Sequence, residues 1–176
     1  MRAFIAFGLL LVSGFTLAEP PDTHAELQRY YLDAARRGDV AMLDTFIASH
    51  YTLDVQDHKG YTALILAAYN GQAEAVEHLL AAGANACVQD KRGNTALMGA
   101  IFKGELTIAR RLLAADCNPD QRNGAGQTAA MYAGLFMRVE ILKDLSRKGA
   151  DLTAEDPLGN SAARLATGEI RMPVSR

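Results

Sequence analysis

The side chains that could carry chemistry are few and scattered. Imidazole is the natural general base or zinc ligand near neutral pH, and the chain has four histidines: His24, His50, His58 and His78. A zinc site needs three or four ligands that converge from short, paired spacings, and no such spacing joins these histidines to one another or to a cysteine. The sequence holds no Gly-x-Ser-x-Gly nucleophile elbow, no Gly-x-x-x-x-Gly-Lys-Ser/Thr phosphate loop and no Cys-x-x-Cys-His haem attachment. His58 beside Lys59 is the one adjacent pair with catalytic character, and at a turn both read as solvated charges. The two thiols, Cys87 and Cys117, lack the Cys-x-x-Cys pattern of redox catalysts. A non-enzyme is expected, with no catalytic residue, cofactor or metal.

Composition narrows the class further. The chain has 176 residues, 49% of them apolar and 22% charged, with a formal net charge of -2. That is a globular chain of ordinary size. It lacks the basic balance that would argue for nucleic acid. The segment 1–18, MRAFIAFGLLLVSGFTLA, has one cation, Arg2, an apolar run and a small-residue ending, Thr16-Leu17-Ala18. This is a signal-peptide pattern, with cleavage expected after Ala18. The apolar run is short of the ~20 residues of a membrane span, and no cysteine follows the cleavage point to carry a lipid. The mature chain would hold 17 basic and 20 acidic residues. A periplasmic location, without a stable membrane anchor, is the expectation.

The elements that position these residues repeat. Gly60, Gly93, Gly126 and Gly159 are each 33 residues apart, and so are Thr62, Thr95, Thr128 and Ser161. Asp57, Asp90, Asn123 and Asp156 keep the same step, as do Ala34, Ala67, Ala100, Ala133 and Ala166. Asp-x-x-Gly is turn chemistry, with Asp bonding its own backbone and Gly supplying a positive φ. Thr then caps a helix. A small-residue face follows, then Gly71 or Gly104 closes that helix. A second helix runs through Val76, Leu79 and Leu80, or Ile108, Leu112 and Leu113, and stops at Gly83-Ala84-Asn85. One helix pair cannot bury its apolar face, but stacked neighbours can. Leu64, Leu79, Leu80, Val88, Leu97, Leu112, Leu113, Ile141, Leu142 and Leu145 are the expected core.

Asp57, Gly60, Thr62, Leu64, Ala67, Ala68, Gly71, Leu79, Leu80, Gly83 and Ala84 resemble the ankyrin-repeat pattern over about 34–166. The resemblance implies an all-α solenoid of stacked helix-turn-helix units with β-turn fingers. The expected organisation is a signal peptide at 1–18 and an N-terminal capping repeat at 19–56. Three full repeats follow at 57–89, 90–122 and 123–155, then a partial C-terminal cap and tail at 156–176. Thr23-His24-Ala25-Glu26 fits a capping box opening a helix Ala25 to Arg37, with Val40 to Ser49 as its partner. Asn160 to Thr167 should form one short helix stopped by Gly168, with Pro173 barring a second.

There are departures from the family pattern. The helix-start Pro is Ala63, Ala96 or Ala129, and the family histidine that ties adjacent loops is absent from every unit, which leaves the rigidity of the loops open. Met137 stands where Gly71 and Gly104 stood, so a different turn is expected there. Cys87 and Cys117 are three residues short of equivalent positions, close but offset. Two free thiols are expected, because Cα atoms beyond ~7 Å cannot be bridged without movement.

The family binds partners at the turn tips and the exposed side of the first helices. By that resemblance the binding residues are Arg36, Arg37, His58, Lys59, Tyr61, Tyr69, Asn70, Lys91, Arg92, Phe102, Lys103, Leu135 and Phe136. A line Arg36, Tyr69, Phe102, Leu135, with Phe136 beside it, would run along the groove. An exported binding module that holds another protein is thereby implied. The layout is similar to small exported bacterial ankyrin proteins, one of them associated with a periplasmic catalase and peroxide resistance. A role supporting such a catalase under oxidative stress is the implication, with immunity against a secreted toxin as the alternative. A redox protein using Cys87 and Cys117 is a third class.

Overall fold

Helices of seven to nine residues are marginal in water on their own, yet the chain is built almost entirely from them. The structure, a computed structural model, describes residues 23–172. The expected signal segment and Pro173 lie outside the described residues. Among the described residues the helices are α1 (Thr23–Arg37), α2 (Val40–Ala48), α3 (Ala63–Tyr69), α4 (Ala73–Ala81), α5 (Ala96–Lys103), α6 (Leu106–Leu113), α7 (Ala129–Leu135), α8 (Val139–Arg147) and α9 (Ala162–Ala166). The odd-numbered helices stack in order as one layer and the even-numbered helices as a second. Between the layers lies one continuous core.

Each odd helix after the first opens on the expected cap. The hydroxyls of Thr62, Thr95, Thr128 and Ser161 accept from the backbone N–H three residues on, at 3.2, 3.3, 3.3 and 3.3 Å. Ala34, Ala67, Ala100 and Ala133 are fully buried between successive odd helices. Small side chains there let the helices approach closely. The approach is tightest at Gly134, where a Cβ would lie 2.6 Å from the Ala162 carbonyl oxygen. Leu64, Leu79, Leu112, Ile141 and Leu145 are buried, while Leu80, Leu97, Leu113 and Leu142 pack partly buried against them. Val88 is half-buried and outside this core, although Ala86 on the same connection packs against the core.

The fingers between helix pairs are locked by Asx turns. Asp57 Oδ1 accepts from the N–H groups of Lys59 and Tyr61 at 2.8 and 2.9 Å, and Asp90 and Asn123 repeat the arrangement. Gly60 has φ +82°, and a Cβ there would meet the Lys91 nitrogen at 2.6 Å. Glycine thus serves both the left-handed turn and the seating of one finger on the next, where Lys91 N–H donates to the Lys59 carbonyl at 3.0 Å. The ties expected from the missing histidine are made elsewhere. The Gln56 amide donates to the Gly60 and Gln89 carbonyls at 2.7 and 2.9 Å. The Gln89 amide does the same to Gly93 and Arg122 at 2.6 and 2.8 Å, and the Arg122 guanidinium to Gly126 and Glu155 at 2.7 and 2.9 Å. At the N-terminal end Tyr31, Phe46 and Tyr51 form a ring triangle with centroids 5.1–5.2 Å apart. Tyr31 O–H donates to the Leu53 carbonyl at 3.0 Å.

Two expectations are corrected. The turn at Met137 does not differ from its counterparts. Met137 has φ +55°, in the same region as Gly71 and Gly104, and Arg138 N–H closes on the Ala133 carbonyl at 2.8 Å just as Glu105 closes on Ala100 at 2.9 Å. The closing bond holds a non-glycine residue in a left-handed state. Cys87 and Cys117 are not free thiols but a disulfide, with Cα atoms 5.5 Å apart. The three-residue offset is absorbed because the Asn85 side chain bonds Cys87 N–H at 2.9 Å and folds the connection back toward its neighbour. In the next unit Asp116-Cys117 replaces the Gly83-Ala84 ending, and Cys117 N–H bonds the Ala115 carbonyl at 2.9 Å, whereas Ala84 N–H bonds Leu79. Lys148 donates to the carbonyls of Leu113, at 2.5 Å, and Ala115.

Left-handed non-glycine backbone is unfavourable by about 1–2 kcal/mol, partly offset by the greater unfolded freedom of glycine. Met137→Gly is therefore expected to raise stability by about 0.5–1 kcal/mol, measured as an upward shift of the urea midpoint. Reducing the disulfide should lower stability by about 2–4 kcal/mol, seen by comparing urea unfolding with and without dithiothreitol.

Candidate protein-binding groove

The ends of the odd helices and the fingers beside them form a concave face. Tyr69, at the end of α3, lies against Phe102 of α5 with ring centroids 6.1 Å apart and planes 10° from parallel. Phe102 meets Phe136 edge-on at 5.1 Å, and Phe136 meets Tyr132 at 6.0 Å. Tyr69 and Phe102 are 43% and 44% exposed, so the rings do not close the core. Lys103 Nζ sits 5.1 Å from the Tyr69 ring centroid, within range of a cation–π contact.

Two of the recesses along this face adjoin Tyr69. One, of about 290 Å³, brings together Arg36, His58, Lys59, Tyr61, Tyr69 and Asn70. The second, of about 300 Å³, is walled by Tyr61, Tyr69, Phe102 and Tyr132 around Gly99, with Arg92 and Asn94 at its polar side. Most of the residues expected from the sequence thus converge. Arg37 and Lys91 are exposed but line neither recess. Leu135 turns against the core, and Phe136 rather than Leu135 continues the ring line. Arg36 pairs with Asp33 on its own helix, and the Asn70 amide donates back to the Leu66 carbonyl at 2.8 Å.

Gly99 and Tyr132 were not among the expected residues. Leu66, Gly99 and Tyr132 occupy one register 33 residues apart, so the signal was present as a missing side chain in a row of large ones. Tyr132 O–H donates to Asn94 Oδ1 at 3.2 Å, and the Asn123 amide donates to the same oxygen at 2.9 Å. Burial pushes the Tyr132 hydroxyl above its ordinary pKa, against the Asn123 hydrogen bond, so it stays protonated and structural. The polar wall is internally satisfied, which suits a surface that receives a ligand. Among the described residues no three His, Cys, Asp or Glu side chains cluster as a metal site would require.

The family model of ankyrin repeats, three copies, matches residues 32–123 and 70–156. The chain belongs to the ankyrin-repeat family. Ankyrin repeats generally mediate protein–protein interaction and are typically non-enzymatic. No curated protein matches the chain closely enough to count as a relative. Among the described residues no helix is long and apolar enough to cross a membrane.

The opposite layer is organised differently. Its ion pairs run from unit to unit: His78 to Asp44 at 2.8 Å, Arg111 to Glu77 at 2.7 Å and Arg110 to Asp144 at 3.1 Å. Exposed pairs like these add little stability. The hydrogen bond that the protonated His78 ring donates to Asp44 Oδ1 raises the His78 pKa above its ordinary value. The pairing therefore acts fully below about pH 6.5, the unfolded value, and fades as pH rises through the raised folded value. In an NMR titration of the imidazole, Asp44→Asn is expected to move the His78 midpoint down. An unchanged midpoint would mean that Asp44 is not its partner in solution.

Proposed function

We propose that this chain is an exported, non-catalytic binding module that holds a periplasmic protein in its concave groove. The observation that carries the reading is the ring line Tyr69, Phe102, Phe136 and Tyr132, exposed at Tyr69 and Phe102 and half-buried at the other two. Exposed aromatic residues near arginine are the usual anchors of protein interfaces. Ankyrin repeats typically bind other proteins, which supports placing the partner here. Export is supported by the apolar segment 1–18 and its small-residue ending. The disulfide supports it too, since disulfides persist in oxidising compartments. Similarity of layout to an exported ankyrin protein associated with a catalase supports a catalase as the partner, and hence a role in peroxide resistance.

The test is affinity capture from periplasmic extract, with wild type beside a Tyr69→Ala/Phe102→Ala double variant of equal melting temperature. A catalase retained by wild type and lost by the variant is the expected outcome. Each single substitution should weaken the isolated complex by about 1–2 kcal/mol or more. Capture of a secreted toxin instead would make the chain an immunity protein, with nanomolar affinity expected. Identical capture by both forms would remove the groove as the binding site.

A further inference from the structure

We infer that the groove receives an acidic protein segment that seats one aromatic or large aliphatic side chain in the notch over Gly99 and places a carboxylate on Arg92. This deepens the groove reading and rests on it. The notch exists because one side chain is missing. Gly99 lies inside α5, where glycine is less favourable than alanine. No positive φ requires it, and a Cβ at this position would meet nothing closer than Tyr69 Cδ2 at 3.6 Å. Packing does not demand glycine there, and Leu66 and Tyr132 hold large side chains at the same register. The result is a recess of about 300 Å³ floored by Ile65, Leu66 and Met98 and walled by rings. That is the small end of the range for ligand pockets, enough for one or two side chains.

The charge of the ligand follows from how the chain sorts its own. Across the rear layer, Asp44, Glu77 and Asp144 pair with His78, Arg111 and Arg110. On the groove side, among the described residues, Arg37, Lys59, Lys91, Arg92 and Lys103 have no carboxylate within ion-pair distance. The carboxylates nearby are already engaged. Asp33 holds Arg36. Asp57 and Asp90 are engaged by their own fingers: Asp90 lines the notch, but its Oδ1 accepts from Arg92 and Asn94 N–H at 2.8 Å each and its Oδ2 from the Asn94 amide at 3.3 Å. Glu105 packs beside Gly71, where a Cβ would meet it at 3.0 Å, and does not line the notch. A chain of net charge -2 thus carries unpaired cations on its groove side, with Arg92 at the edge of the apolar notch. Opposite charge across an interface steers and selects the partner, and a guanidinium matches a carboxylate bidentately. Single-stranded RNA would also meet cations and rings, but a chain of net charge -2 lacks the continuous basic groove that tracks such a strand's backbone.

The test is selection of a displayed random peptide library on the full exported chain. Counter-selection uses Gly99→Leu, which should fold because leucine stands at that register in α3, and circular dichroism checks this. The expected pool carries Phe, Tyr or Leu next to Asp or Glu, with net negative charge. Its peptides should lose at least about tenfold in affinity on Gly99→Leu, roughly threefold or more on Arg92→Gln, and weaken with salt. A pool that depends on Tyr69 and Phe102 but is neutral or basic would overturn the inference and leave the groove standing. Selected peptides indifferent to Tyr69→Ala/Phe102→Ala would remove both. A single-stranded RNA oligomer that binds as tightly as the selected peptides would overturn the assignment to a protein segment.

Discussion

Everything in this molecule depends on the contact between one helix pair and the next. No pair holds together alone, since its helices are too short to persist and expose an apolar face when isolated. The neighbour covers that face only if the first helices come close, and the buried row Ala34, Ala67, Ala100 and Ala133 permits it. Because the contact is the same each time, the displacement between units is the same each time. Any residue position is therefore projected along the array as a row. Tyr69 and Phe102 of the ring line stand on one such row, from which the line steps aside to Phe136, and the notch over Gly99 is a gap in another.

The groove is held ready by backbone-directed bonds. Gln56, Gln89 and Arg122 each grip their own finger and the next one, and Gly124 N–H meets the Arg92 carbonyl at 2.7 Å. The missing family histidine is thus compensated by longer side chains one register away from the helix. Fingers fixed before a ligand arrives have less entropy to lose on binding. The residues beside them, among them Arg92 and Asn94, are presented from a rigid frame.

Much of this was legible because a 33-residue step with no insertion leaves one consistent architecture. The turns at Asp57 and Asp90 and the caps at Thr62 and Thr95 follow from local chemistry that residue types declare. What escaped was set by geometry between units. Met137 adopts the glycine conformation because the closing bond to Ala133 outweighs a side chain's preference. The pairing of Cys87 with Cys117 depends on how an extended connection crosses to its neighbour, and spacing in number does not give distance in space. The notch was hidden for a different reason. Candidate residues are sought among side chains that are present, and Gly99 contributes by having none.

The bridge between Cys87 and Cys117 joins the unit 57–89 to the unit 90–122 at the middle of the array. Arrays open from their ends, because terminal units have one neighbour rather than two. Fraying that reaches the bridge leaves the opened unit tethered to its former neighbour. Re-docking within one chain is intramolecular in any case, and the bridge raises its effective concentration by shortening the tether. The groove's two ring-bearing halves, α3 with Tyr69 and α5 with Phe102, belong to those two units. The covalent link therefore keeps the two ring-bearing halves of the groove close together through transient openings and favours their rapid return to register.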